Sequence, residues 1–162
     1  MKNMRIKGMM LFLMTALLFF PVKAEAVGIL DTTKEVTLTI SCKDGDRGIA
    51  NTGFEIYQIG GITEAAEIIP NAAFDGRLPK LRELSGSEWR DLTQELCQLT
   101  QGENLAPVDS GYTDENGMLR FPQDGKKLEQ GLYLIVGGSA RQNGYSYTLS
   151  SCLVFLPSED AE

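Results

Sequence analysis

The chain contains no histidine among its 162 residues. Because histidine is the commonest general base and metal ligand, its absence removes a residue on which most hydrolase mechanisms depend. The sequence also lacks a glycine-rich phosphate loop, a nucleophile elbow and the ligand spacing of a zinc site. We therefore expect no enzyme activity, no cofactor and no metal site.

Long apolar runs are scarce as well. The longest, over residues 9–22, is shorter than the roughly 20 residues that a membrane-spanning helix needs. It follows Lys2, Arg5 and Lys7 and precedes Ala24-Glu25-Ala26, which is the layout of a secretory signal peptide. We predict a cleaved signal peptide over residues 1–26, no stable membrane span, and a single secreted domain over residues 27–162.

Basic residues are few relative to acidic ones. The chain has 15 lysines and arginines against 22 aspartates and glutamates. Removal of residues 1–26 leaves 11 basic and 21 acidic residues, a net charge of about −10. A domain this acidic repels nucleic acid, and the sequence has no basic stripe to overcome that repulsion. We expect no nucleic-acid partner.

The cysteine count is low and odd. An exported chain can form a disulfide, but with Cys42, Cys97 and Cys152 at least one thiol stays unpaired. Cys97 has no histidine or clear basic neighbour to activate it, so we expect no nucleophilic role.

Acidic turns at residues 44–46 and 114–116 are candidates for calcium binding. Neither has the ligand order of an EF-hand, and turn geometry alone explains both.

Alternating apolar residues predict several short strands. The pattern covers residues 35–41, 53–59 and 145–157, and turn-forming Asx-Gly pairs are spread between such segments. The pair Asn116-Gly117 stands between two strand-like runs and predicts a hairpin with a type I′ turn, in which both central residues have positive φ. Short strands joined by such turns favour a mostly β, antiparallel sandwich or barrel.

One segment has helical periodicity instead. Trp89, Leu92, Leu96 and Leu99 fall on one face, Ser87 can cap the helix, and Gly102 can end it. We predict a helix over residues 87–101 that lies across one end or face of the sheet. Residues 60–84 contain Pro70, Pro79 and many small residues, and we interpret them as an insertion with little regular structure.

The order of several motifs resembles a known family. Thr113-Asp114-x-x-Gly117-x-x-x-Phe121 is followed by Gly131-x-Tyr133, and the strands at 36–40, 52–57 and 153–157 have matching patterns. Together they resemble the Cna-B-type (prealbumin-like) modules of Gram-positive pilins and surface adhesins, in particular the N-terminal domain of a major backbone pilin. The resemblance implies a prealbumin- or Ig-like antiparallel β-sandwich with one helical insertion around 87–101, and Thr113, Asp114, Gly117, Phe121, Gly131 and Tyr133 form its signature turn and strand.

The resemblance also bears on covalent cross-links. Many such modules join a lysine of the first strand to the last strand through an isopeptide bond that a glutamate catalyses. This chain has Ile40 near the lysine position and Gly137 at the glutamate position, so we expect no internal isopeptide. The resemblance places Cys42 and Cys152 on the two strands that the isopeptide would join, and a disulfide between them is possible. The alternative is that they are two small apolar residues that never meet.

The family's function supplies the main hypothesis. The resemblance implies a secreted, extracellular, cell-wall-associated structural or adhesive module, with other pilin or surface-protein subunits, or a host matrix protein or cell-surface glycoprotein, as partners. The alternative is a transthyretin-like or adhesin-tip module, secreted as a free domain, that binds a ligand in a groove beside the helix through Tyr112, Tyr145 and Tyr147. The sorting motifs of polymerising pilins are missing after Pro157, so a piece of a longer pilin and a free module both stay open.

Overall fold

The computed structural model describes residues 31–157, so the predicted signal peptide over residues 1–26 lies outside the described residues. Eleven strands, two single-turn 3₁₀ helices at residues 72–74 and 81–83, and one α-helix occur in this part of the chain. In chain order the strands and the α-helix are β1 (Leu38–Ser41), β2 (Lys43–Asp44), β3 (Arg47–Gly48), β4 (Gly53–Ile62), β5 (Ile68–Pro70), α1 (Gly86–Gly102), β6 (Asp109–Tyr112), β7 (Met118–Phe121), β8 (Gly131–Gly137), β9 (Ser139–Gln142), β10 (Tyr145–Thr148) and β11 (Cys152–Leu156).

A five-stranded antiparallel sheet organises the fold. Its strand order is β11-β8-β4, and the other edge of the long strand β4 is shared by two shorter strands. Strand β6 pairs with residues 53–56 of β4, and β5 pairs with residues 60–62. The central strand β8 reads Gly-Leu-Tyr-Leu-Ile-Val-Gly and is buried over its first five residues, as expected for a strand covered on both faces.

Three further antiparallel ladders complete the strand pairing. Strand β1 pairs with β7, from Leu38 opposite Phe121 to Ser41 opposite Met118. The hairpins β2–β3 and β9–β10 are closed by two-residue loops. In the second loop Asn143 and Gly144 both have positive φ, 51° and 80°, which is the conformation of a type I′ turn.

Each face of the five-stranded sheet contributes to a separate hydrophobic cluster. The first cluster joins the sheet to the β1–β7 ladder and includes Phe54, Ile56, Leu119, Phe121 and Tyr133. The second joins the opposite face to α1 and contains Tyr57, Ile59, Phe74, Leu92, Leu96, Leu132 and Leu134. Alternation along β8 explains the division, because successive side chains of a strand point to opposite faces.

The predicted helix over residues 87–101 is confirmed, since α1 extends over Gly86–Gly102. Its N-cap is Ser85 and not Ser87 as predicted. The Ser85 side chain accepts a hydrogen bond from the Glu88 amide at 3.4 Å, and the Glu88 carboxylate accepts one from the Ser85 amide at 2.7 Å. This reciprocal capping box satisfies two backbone donors at the start of the helix, which one hydroxyl at Ser87 would not do.

The mostly β class with antiparallel sheets and a single helix in residues 31–157 is confirmed as well. The interpretation of residues 60–84 as largely irregular is wrong in part, because β4 continues to Ile62 and forms a hairpin with β5 before the two 3₁₀ turns. Within the described residues, no helix has the length and apolarity needed to cross a membrane.

Candidate functional site

The hairpin predicted at Asn116-Gly117 is not formed, because β6 pairs with β4 and β7 pairs with β1, and the turn between them also differs from the one expected. The turn closes between Asp114 and Gly117, whose amide donates to the Asp114 carbonyl at 2.9 Å, and only Gly117 has positive φ, at 74°. The Asp114 carboxylate accepts hydrogen bonds from the amides of Asn116 and Met118, both at 2.8 Å. The type I′ prediction is therefore wrong here, because the aspartate side chain stabilises a longer loop that ends in a left-handed glycine.

Gly117 also lies against another part of the chain. A Cβ atom at this position would meet the Cys42 carbonyl oxygen at 2.1 Å and the Ile49 nitrogen at 2.9 Å. The Cys42 amide donates to the Gly117 carbonyl at 2.8 Å. The turn therefore packs against the segment that carries the β2–β3 hairpin. Only glycine fits at position 117, because any side chain there would displace the backbone of Cys42 and Ile49.

Thr113, the residue before the turn, is buried at the centre of a hydrogen-bond network. Its hydroxyl donates to the Ile49 carbonyl at 2.7 Å and accepts from the Thr52 amide at 3.0 Å. Its own amide and carbonyl bond to the Thr52 carbonyl and the Asn51 amide at 3.1 and 3.0 Å. One side chain therefore ties the start of β4 to the end of β6.

The other signature residues are in the core. Phe121 and Tyr133 are fully buried in the first cluster, and the Tyr133 hydroxyl donates to the Glu129 carbonyl at 2.7 Å. Burial raises the pKa of Tyr133 to about 12, because it disfavours the phenolate. Gly131 lets β8 approach β4 closely, since a Cβ there would lie 2.2 Å from the Gly60 carbonyl oxygen. The signature residues all have structural positions, and none is assembled into a reactive cluster.

A buried charge that the sequence did not reveal lies beside this network. Asp109, on β6, is 1 % exposed and accepts hydrogen bonds from the Gln123 amide at 2.7 Å, the Ser110 amide at 2.8 Å and the Lys126 ammonium at 2.6 Å. Burial on its own raises the pKa of this carboxyl, but the bonds from Gln123, Lys126 and Ser110 outweigh it and the pKa is lowered. The ion pair between Asp109 and Lys126 joins β6 to the loop that follows β7.

The three tyrosines considered for ligand binding do not share one groove. Tyr112 is 73 % exposed and lines a cleft of about 370 Å³ with Gln101 of α1 and residues 136–138. Tyr145 lies elsewhere, near the tip of the β2–β3 hairpin. Tyr147 is partly buried and donates a hydrogen bond to the Asp44 carboxylate at 3.0 Å. Only Tyr112 therefore lies in a groove beside the helix.

An apolar groove on the helical face lies between α1 and β11. It has a volume of about 570 Å³, and its lining includes Trp89, Thr93, Cys97, Ser151 and Leu153. A second groove, of about 600 Å³, lies on the other side of Phe155 and is lined mainly by residues 66–70 and 78–83. The Trp89 and Phe155 rings meet edge to face, with their centroids 6.1 Å apart, and separate the two grooves.

The cysteines are free thiols in the structure. Cys42 is buried in the first cluster, Cys97 is half-buried on α1, and Cys152 is exposed at the start of β11. The bond between Cys42 and Cys152 is not formed. Cys42 follows β1, which pairs with β7, whereas Cys152 begins β11, which pairs with β8. Their oxidation to a disulfide stays a prediction.

The positions associated with isopeptide chemistry have apolar surroundings. Ile40 packs against the first cluster, and Gly137 lies against the side chains of Leu149 and Phe54. Lys43, the lysine nearest to Ile40 in the sequence, is exposed on β2 and does not enter these surroundings. No cluster of three or more cysteine, aspartate or glutamate side chains that could hold a metal ion occurs in residues 31–157.

No protein-family model matches this chain, and neither a curated protein nor a solved structure shows significant similarity to it. Its resemblance to pilin modules therefore depends on the motifs in its sequence.

Proposed function

We propose that this chain is a non-catalytic structural and adhesive module that is secreted and displayed on the cell wall of a Gram-positive bacterium, where it joins other pilin or surface-protein subunits. The observation that carries the proposal is the turn from Thr113 to Gly117. Thr113, Asp114 and Gly117 each have a structural role there, which supports a structural explanation of the motif over a catalytic one.

The proposed fold is a Cna-B-type, prealbumin-like β-sandwich with α1 as its insertion. The first hydrophobic cluster supports this, because it joins one face of the five-stranded sheet to the β1–β7 ladder, as the two layers of a sandwich would be joined. Polar and backbone contacts add further links around the same core: the ion pair of the buried Asp109, the hydrogen bonds of Thr113, and the close approach of Gly117 to Cys42. A densely tied domain of this kind suits a module with a mechanical task.

Fractionation of cells that carry the gene tests the proposal. Cell-wall and medium fractions are boiled in detergent and reductant and probed with an antibody raised against residues 31–157. We expect the protein in the wall fraction, with a ladder of high-mass bands if it is joined covalently to other subunits. A single band at the mass of the mature chain, confined to the medium, would contradict wall display.

A second candidate function is ligand binding by a free secreted domain, and the exposure of Tyr112 favours it. The tyrosine ring stands over Gly53, and the neighbouring cleft exposes backbone of three glycines, Gly111, Gly137 and Gly138. An aromatic ring beside accessible backbone can hold a flat or extended ligand such as a sugar or a peptide.

Adhesion to immobilised matrix proteins and glycans tests this candidate. We expect Tyr112→Ala to reduce binding at least about tenfold, while Tyr145→Ala, which removes another exposed tyrosine in a different place, leaves it unchanged. Equal binding by both variants and the unmodified protein would remove the Tyr112 cleft from consideration.

A further inference from the structure

The strand β11 leaves one edge of the five-stranded sheet open. It pairs with β8 along all five of its residues, and no strand within residues 31–157 pairs with its other side. An open edge exposes the backbone amides and carbonyls of alternate residues, which can pair with an added strand.

This edge lacks the features that usually prevent strand addition. Strand β11 reads Cys-Leu-Val-Phe-Leu, with no charge and no proline. At the opposite side of the sheet, by contrast, β5 has only three residues and ends in Pro70. Short length and proline protect an edge, whereas an uncharged strand of high β propensity invites pairing.

A half-exposed stripe of α1, formed by Trp89, Thr93 and Cys97, runs beside the open edge. Trp89 contacts Phe155, and the Cys97 sulfur lies 3.6 Å from the Ser151 hydroxyl, so α1 runs antiparallel to β11. Thr93 lies midway between these two contacts and lines the same groove. A strand added to β11 would lie along this groove, and its helix-facing side chains would cover the stripe.

We propose that the occupant is a second copy of this chain, whose β11 pairs antiparallel with the first around a two-fold axis near Val154. Helix α1 packs against both β8 and β11. With strands about 4.8 Å apart, the two α1 helices would then be roughly 10 Å apart, which is the spacing of packed helices. Pairing therefore provides partners for the backbone groups of the open edge and packs the two α1 helices side by side, whereas a lone peptide strand would bring no second helix.

Charge and size agree with this occupant. No acidic residue lies on β11 or lines the groove, although the chain is acidic, and the one charged group there is Arg90. Two copies can therefore approach at this edge without bringing carboxylates together. The helix of 17 residues is about 25 Å long. A contact of that length, two layers deep, buries on the order of 1,000 Å² in total, which is the lower end for a specific interface and predicts a reversible dimer.

Cross-linking tests the geometry. In a Cys97→Ser, Cys152→Ser background, where the remaining Cys42 is buried, Thr93→Cys places one thiol of each copy beside the two-fold axis. We expect a short bis-maleimide to yield a dimer from this variant, and Thr39→Cys, an exposed thiol on β1, to give none. Sedimentation of the unmodified chain up to about 1 mM is expected to show a monomer–dimer equilibrium.

Two variants of one residue separate edge pairing from other contacts. Phe155→Lys places a charge on the edge and is expected to weaken the dimer at least about tenfold, while Phe155→Leu keeps it; circular dichroism checks that both fold. A monomer at every concentration, equal cross-linking of Thr93→Cys and Thr39→Cys, or a dimer unaffected by Phe155→Lys would each overturn the proposal. The result does not depend on where the protein is displayed, so this inference and the proposed function can fail separately.

Discussion

The Thr113 hydroxyl accepts a hydrogen bond from the Thr52 amide, and the two residues also bond through the Thr113 amide and the Thr52 carbonyl. Both are buried, so every polar group in this contact needs a partner. The network fixes the start of β4 next to the end of β6, at the point where the turn of residues 114–117 begins. Its loss should destabilise the whole sheet.

Thr113→Val is expected to lower the free energy of unfolding by about 2 to 3 kcal/mol, because an isosteric methyl leaves the Thr52 amide without its partner and the Ile49 carbonyl with only the long bond of 3.4 Å from the Thr52 hydroxyl. Thr113→Ser keeps the hydroxyl and should lose only about 1 kcal/mol for the buried methyl. Urea denaturation of the two variants measures the difference. Equal losses would show that the hydroxyl contributes little.

Gly117→Ala is expected to cost about 3 kcal/mol or more, since it adds a left-handed strain to a collision with the Cys42 carbonyl. Gly125 is a matched control. It has the same φ, 74°, but a Cβ added there would have no atom within 4 Å. Gly125→Ala should therefore cost only about 1 kcal/mol of strain. If both variants unfold at the same urea concentration, the close approach to Cys42 does not constrain the turn.

Acid should weaken the domain partly through Asp109. The pKa of this carboxyl is lower in the folded chain than its ordinary value of 3.8, so its contribution is present above that value and is lost as the pH falls below about 4. Asp109→Asn should cost about 2 kcal/mol at pH 7, because the single amide oxygen cannot accept from both Gln123 and Lys126. It should also reduce the loss of stability that the unmodified chain shows as the pH falls below about 4. Asp124→Asn, an exposed turn residue, is the control; matching pH profiles for both variants would contradict this role.

The sequence is sufficient for the elements whose signal is local. The predicted helix matches α1 to within one residue at each end, because an apolar stripe and a glycine stop do not depend on the rest of the fold. The two Asn-Gly pairs show where local signals fail. Asn143-Gly144 has two positive φ angles, whereas Asn116-Gly117 has one, because the Asp114 side chain and the nearby Cys42 backbone select another turn.

Features that depend on tertiary contact could not be predicted. Asp109 looks like an ordinary strand-end aspartate until the loop of residues 121–126 folds over it. The open edge of β11 likewise follows from which strands pair, and the composition of β11 alone gives only its lack of charge. The resemblance to pilin modules directs attention to Thr113 and Gly117, but the contacts of those residues explain why they are needed.

The capping residue of α1 gives a fourth prediction. Ser85→Ala should lower the free energy of unfolding by about 1 kcal/mol, because it removes the acceptor of the Glu88 amide. Ser87→Ala should have little effect, since Ser87 is already inside the helix. Thermal unfolding of the two variants measures this contrast. A larger loss for Ser87→Ala would place the cap where the sequence pattern suggests it.

Alkaline pH should weaken the domain through Tyr133. Its pKa is about 12 in the folded chain and near 10 when exposed, so its contribution is complete below about pH 10 and is lost between pH 10 and 12. Burial also raises the pKa of Tyr57 to about 12, so Tyr133→Phe should remove only part of the loss of stability between pH 10 and 12.

Tyr133→Phe should also lower the free energy of unfolding by about 1 kcal/mol at pH 7, because it removes the hydrogen bond to the Glu129 carbonyl. Absorbance at the phenolate band, measured over the same pH range as unfolding, should show one tyrosine fewer that titrates near pH 12 in Tyr133→Phe than in the unmodified chain. If the number of tyrosines titrating near pH 12 is the same in both, water reaches the Tyr133 hydroxyl and the first cluster is not closed around it.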